Sequence, residues 1–171
     1  IASGEVRQIS DQYVTESPYW INNTLLAFAV GDGQDLLKPE RQLWLANIPG
    51  KSTRQVVIAG DTSGLYLSDV WSADGTKVLF QHVTPSSTSL VLMNTDGTVI
   101  KEETDEMTFP RYGMRASWSP KAERIALGGA SGECPYGMRV IDATFAFIAK
   151  GTAAPTMCSP VFAPNGRFIA F

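Results

Sequence analysis

The sequence predicts an all-β fold, a β-propeller of four-stranded blades, and three observations predict it. Short clusters of Val, Ile, Thr, Phe and Trp are punctuated by 15 Gly and 10 Pro, the texture of strands and turns. The best candidate for an amphipathic helix, residues 36–44, is interrupted by Pro39. A segment made of an aromatic, a turn and a short apolar run recurs four times at blade spacing.

The copies are residues 70–80 (V-W-S-A-D-G-T-K-V-L-F), 117–127 (S-W-S-P-K-A-E-R-I-A-L), 161–171 (V-F-A-P-N-G-R-F-I-A-F) and 18–28 (P-Y-W-I-N-N-T-L-L-A-F), the last with its aromatic displaced by one position. The anchors Trp20, Trp71, Trp118 and Phe162 stand 51, 47 and 44 residues apart, close to the roughly 40–50 residues of a four-stranded blade. Asp74-Gly75 and Asn165-Gly166 suit a tight hairpin whose central positions need positive φ. Asn22-Asn23 suits it less well, and Lys121-Ala122 demands another turn type or a strained one. After each turn nearly every residue is apolar (25–28, 78–80, 125–127 and 168–171). A strand with one wet face would alternate, so these runs are expected to be buried on both faces between neighbouring blades. Each anchor aromatic is expected to fill the wedge between blades.

Two further strands are expected after each copy: 42–46 and 54–59, then 89–94 and 98–103 joined by Thr95-Asp96-Gly97, then 138–142 and 145–150. The chain then divides into a partial blade 1–16, blades 17–60, 67–106 and 115–153, and a partial blade 157–171. Residues 5–10 read as the fourth strand of a preceding blade, and the last copy stops within a second strand. The expectation is a segment of a larger propeller. Lys101-Glu102-Glu103 with Asp105-Glu106 suits an exposed outer edge, where charge discourages pairing with other chains; a site for a cation or a basic partner is the alternative.

The repeat resembles that of the TolB-type propellers, Trp-Ser-Pro-Asp-Gly followed by Lys or Arg and a short Ile-Ala-Phe strand. Trp118-Ser119-Pro120, Trp71-Ser72-Ala73-Asp74-Gly75, and Ala163-Pro164-Asn165-Gly166-Arg167 with Ile169-Ala170-Phe171 carry the resemblance, which spans nearly the whole chain. It implies a non-enzymatic, extracytoplasmic protein-interaction scaffold in a periplasmic, cell-surface or secreted setting. The alternative is an accessory propeller of a larger enzyme, prolyl-oligopeptidase-like or polysaccharide-lyase-like, whose catalytic residues lie outside this chain.

Blade topology places Cys134 between the second and third strands of the 115–153 blade, and Cys158 on the way into the next blade. Both connections then emerge at one end, and a disulfide between them is favoured over two free thiols. Loop closure of this size is worth about 3 kcal/mol, and the bond fits an oxidising compartment.

No catalytic residue, metal site or cofactor is expected. The sequence has no Gly-x-Ser-x-Gly elbow, phosphate-binding Gly loop or His-Glu-x-x-His. Its one histidine, His82, reads as a structural strand-end residue without an identifiable partner. Residues 32–35 and 61–64 carry too few alternating carboxylates for a calcium loop. Asn22-Asn23-Thr24 is a formal glycosylation sequon. A net charge of −3 and a pI near 5.1 argue against a nucleic-acid partner. No apolar run nears the ~20 residues of a membrane helix, so membrane insertion is not expected.

The expected partner is a protein, or the remainder of the same chain, with self-association through open blade faces as a further route. Phe109, Arg111, Tyr112, Met114 and Arg115, in the connection entering the 115–153 blade, combine aromatics with two Arg and form the candidate interaction surface. The alternative is that Phe109 and Met114 pack between blades while the arginines stay solvated. The insertion 31–41 is a second candidate.

Overall fold

A computed structural model describes residues 6–11, 14, 18–30, 42–56, 65–104, 114–129, 138–150 and 159–171, with only the backbone given for 65–69, 114, 129 and 150. The chain forms two compact units, Ile1–Val57 and Ile58–Phe171. Among the described residues every regular element is a strand.

The first unit is an antiparallel meander of β1 (Tyr19–Trp20), β2 (Leu25–Val30), β3 (Gln42–Asn47) and β4 (Ser52–Val56), in that order. The continuously apolar β2 is buried along most of its length. Leu26, Phe28, Val30 and Ala46 form the core of one face, with Ile9, Val14, Trp44 and Ile48 packed against it. Residues 6–10, expected as strand, form none. Ile9 instead drops onto the sheet face, and the Arg7 guanidinium donates to the Ile48 carbonyl at 3.2 Å. An apolar side chain gains more from the buried face than the backbone gains from an edge. Trp20, expected as an interblade wedge, is 55% exposed on β1. The fourth strand starts at Ser52 rather than 54, because the turn closes at Lys51 in the left-handed region (φ 50).

The second unit holds two such meanders and a ribbon. β5 (Leu65–Trp71), β6 (Lys77–Val83), β7 (Thr88–Asn94) and β8 (Val99–Thr104) form one sheet. β9 (Met114–Trp118), β10 (Arg124–Gly129), β11 (Arg139–Asp142) and β12 (Phe147–Lys150) form the next, and β13 (Val161–Phe162) pairs with β14 (Ile169–Ala170). The two sheets stack face to face. Leu79, Leu90 and Leu92 from the first share one core with Trp118, Ile125, Leu127, Ile141 and Phe145 from the second. The Trp118 indole N–H donates to the Val70 carbonyl at 3.0 Å and stitches the two sheets together. On its other face the second sheet meets the ribbon: Ala126 and Met138 pack with Phe162 and Ile169. The Phe162 N–H donates to Ser117 Oγ at 3.0 Å.

Burial on both faces holds for β6, whose Val78, Leu79 and Phe80 are fully buried, and for Ile125 and Ala126 of β10. It fails for the fourth copy, where Phe168 is 66% and Phe171 59% exposed. There only one side of the ribbon has a neighbour among the described residues. Trp71 and Trp118 are buried, and Phe162 is half-buried.

The repeated turns are wider than the two-residue hairpins expected. In each, a backbone bond closes a type I-like turn: Gly75 N–H to Ser72 O, Ala122 N–H to Ser119 O, and Gly166 N–H to Ala163 O, all at 2.8 Å. A second bond, such as Ser72 N–H to Lys77 O at 3.0 Å, then closes the four-residue loop. Positive φ is needed only at the last turn position, where Gly75 has φ 69, Gly166 φ 68 and Ala122 φ 56. Ala122 therefore adopts the same turn as its glycine counterparts, under strain. Gly166 also sits tight, since a Cβ there would lie 3.3 Å from Pro120 Cδ. The last strand of the second sheet starts at Phe147, not 145, because buried Phe145 takes the left-handed turn position (φ 67).

Candidate functional site

The polar residues of the repeat are occupied in building turns. Ser72 Oγ donates to Asp74 Oδ1 at 2.6 Å and accepts from the Lys77 N–H at 2.9 Å. Asp74 Oδ1 also accepts from the Thr76 N–H and hydroxyl, at 3.0 and 2.9 Å. Partial burial pushes the Asp74 carboxyl upward, but the bonds from Ser72 and Thr76 and the nearby Lys77 charge outweigh it and hold the group below its ordinary value. In the next copy, which lacks the aspartate, Ser119 Oγ accepts from the N–H groups of Glu123 and Arg124 at 3.2 and 3.0 Å. Asp142 caps its own turn in the same manner. The Thr144 hydroxyl and N–H and the Ala146 N–H lower its carboxyl, against slight desolvation. The sequon residue Asn22 spends its side-chain oxygen on the N–H groups of Thr24 and Leu25 and on the Thr24 hydroxyl.

Of the candidate interaction surface, Phe109, Arg111 and Tyr112 lie outside the described residues. Met114 and Arg115 open β9, pairing with Gly129 and Gly128 of β10, and the Arg115 side chain is exposed. Cys134, Cys158, residues 31–41 and residues 61–64 also lie outside the described residues.

Two constellations escape a reading of the sequence. His82 is buried as the penultimate residue of β6, and it does have a partner: its Nδ1 lies 3.5 Å from Glu102 Oε1 on β8. Ser89 Oγ, on the intervening strand, donates to the same Glu102 oxygen at 2.7 Å. The serine addresses the carboxylate and not the imidazole, so the cluster lacks the nucleophile–base bond of a hydrolytic triad. It ties the outer strand to the sheet. On the other face of that strand, Lys101 Nζ pairs with Glu103 Oε1 at 3.1 Å, in keeping with a charged edge.

The second constellation is a groove of about 390 Å³ in the first unit, lined by Gln8, Ile9, Ser10, Asp11, Phe28, Trp44 and Thr53. Phe28 and Trp44 are directly paired across β2 and β3. Their rings lie nearly parallel, 20° apart with centroids at 6.5 Å. Trp44 is half-buried and donates its indole N–H to Gln42 Oε1 at 3.4 Å. The far wall is the segment that failed to form a strand. There the Gln8 amide donates to Ser10 O and Asp11 Oδ1, both at 2.9 Å, and holds the carboxylate in place.

No family model and no curated protein matches the chain. Solved structures do. The chain is similar to a prolyl endopeptidase (TM-score 0.62, 13% identity, 91% of this chain and 25% of that one) and to TolB from Acinetobacter baumannii (0.59, 14%, 91% and 36%). It is also similar to hydrazine synthase from Kuenenia stuttgartiensis (0.53, 11%, 85% and 51%). The chain spans between a quarter and about half of these proteins. Identities this low speak for the fold alone, and that fold is the β-propeller.

Proposed function

We propose that the chain is a non-enzymatic, extracytoplasmic protein-interaction scaffold of the TolB type. The observation that carries this reading is the fate of the repeat residues. The serine hydroxyls, Asp74 and the Trp118 indole are consumed in turns and in the seam between sheets. What the repeat builds is a framework, and binding falls to the connections between its strands. Phe109, Arg111, Tyr112, Met114 and Arg115 are assigned to the interaction surface, with exposed Arg115 at its edge. A Cys134–Cys158 bond would staple neighbouring connections, which suits a periplasmic, cell-surface or secreted location.

The fold likeness to a prolyl endopeptidase supports a second reading, an accessory propeller for a catalytic domain encoded elsewhere in the parent gene. Site-specific photo-crosslinking from position 112 in the full-length parent protein separates the two. The scaffold reading expects one discrete adduct with another polypeptide, lost on joint Arg111→Ala and Arg115→Ala substitution. The absence of an adduct, or a downstream α/β segment bearing a Gly-x-Ser-x-Gly elbow, overturns it. Thiol titration of the denatured, unreduced protein should find no free thiol; finding two removes the disulfide.

A further inference from the structure

We propose that the groove of the first unit is a docking site for a cationic side chain, a guanidinium or ammonium borne by a partner polypeptide. The proposal rests on the interaction-scaffold reading and gives the chemistry by which one surface would recognise its partner. Three features of the groove select this ligand. The first is the aromatic wall: Phe28 stacks on the Trp44 indole, and the half-buried indole lines the groove beside it. An indole attracts a cation placed over its face more strongly than the other aromatic side chains do.

The second feature is charge. Among the described residues that line the groove, Asp11 is the one that carries a charge, in a chain of net charge −3. Its Oδ1 is held by the Gln8 amide, which leaves the other carboxylate oxygen for an incoming N–H donor. Gln8 and Thr53 also line the groove, and each carries a side-chain oxygen able to accept a hydrogen bond. A planar guanidinium, with five fixed donors, can satisfy several of them while stacking on an indole. The third feature is size, because about 390 Å³ is at the small end of the ~300–1,000 Å³ typical of ligand clefts and suits a side chain. An anion would meet Asp11 in a like-charge contact. A wholly apolar group would strip water from Asp11 and Gln8 without replacing its hydrogen bonds.

The test uses the whole chain, labelled with ¹⁵N, with the Trp44 indole N–H resonance assigned by its loss in Trp44→Phe. The probes are the blocked tripeptide Gly-Arg-Gly, its Gly-Gln-Gly counterpart and methyl glucoside. The proposal expects a saturable shift of the Trp44 resonance with the arginine peptide alone. Binding should weaken on the order of fivefold in Asp11→Asn and fade as salt is raised. No shift with the arginine peptide, an equal response to the glutamine peptide or the glucoside, or unchanged affinity in Asp11→Asn would each overturn it. Crosslinking from position 112 is independent of this groove, so failure here leaves the scaffold reading to be judged on its own result.

Discussion

Ala122 sits at φ 56 where the other well-formed copies place glycine, and a Cβ in that region of backbone space costs about 1–2 kcal/mol. Ala122→Gly should therefore raise stability by about 0.5–1 kcal/mol in urea unfolding, the relief being partly offset by the freer unfolded chain. Gly75→Ala should lower it by about 1 kcal/mol. A neutral or destabilising Ala122→Gly would mean that the third turn is built differently. Asp74 sets a pH dependence of definite sign. Its carboxyl is lowered in the folded state, so the unfolded chain takes up the proton first as the solution is acidified. The stability that Asp74 contributes is present above its unfolded value near 3.9 and is lost as the pH falls through the depressed folded value. Asp74→Asn should accordingly destabilise the protein at neutral pH, with a difference that shrinks below about pH 4; a difference constant from pH 7 to 3 would count against the Asp74 bonds. At this scale the sequence marked the turns but misjudged their width. Two-residue hairpins and four-residue loops share the same Asp-Gly signature, and only the backbone bonds tell them apart.

Strands were most legible where continuous apolar runs end at unambiguous turns, as in β6 and β7. β4 and β12 were displaced because Lys51 and Phe145 take left-handed turn positions that their residue types disfavour. The segment at residues 6–10 was misread because its place before the first blade suggests an outer strand, while the residues do not say whether the chain finds an edge or a face. The same limit hid the groove: pairing Phe28 with Trp44 takes the register of β2 on β3, and Asp11 reaches it only through the failed strand. His82 and Glu102 lie 20 residues apart and meet across an intervening strand, so nothing local links them. One prediction separates motif position from structural role. Trp118→Phe removes the bond to the Val70 carbonyl and should cost about 1–2 kcal/mol. Trp20→Ala, at an exposed position of the same motif, should change stability by less than about 0.5 kcal/mol. Equal losses at both sites, measured by chemical denaturation, would erase that distinction.

Over the whole molecule the repeat builds sheets, and in the second unit it stacks them. At the Trp71 and Trp118 copies a buried aromatic precedes the turn, and the following strand presents buried apolar side chains to both faces. In the second unit these features place Leu79 and Trp118 in one core shared by consecutive sheets. The ribbon of β13 and β14 continues the stack on the far face of the second sheet. Architecture was therefore readable from the repeat, whereas recognition was not, because the residues that define the repeat are spent on the framework. The most direct measurement is a double-mutant cycle between the two sheets, combining Leu79→Ala with Ile125→Ala and following unfolding by urea. Each residue is fully buried and belongs to the shared core, so each single change should cost about 2–5 kcal/mol. Face-to-face stacking predicts an interaction energy of about 0.5–3 kcal/mol between them; losses that simply add would contradict it.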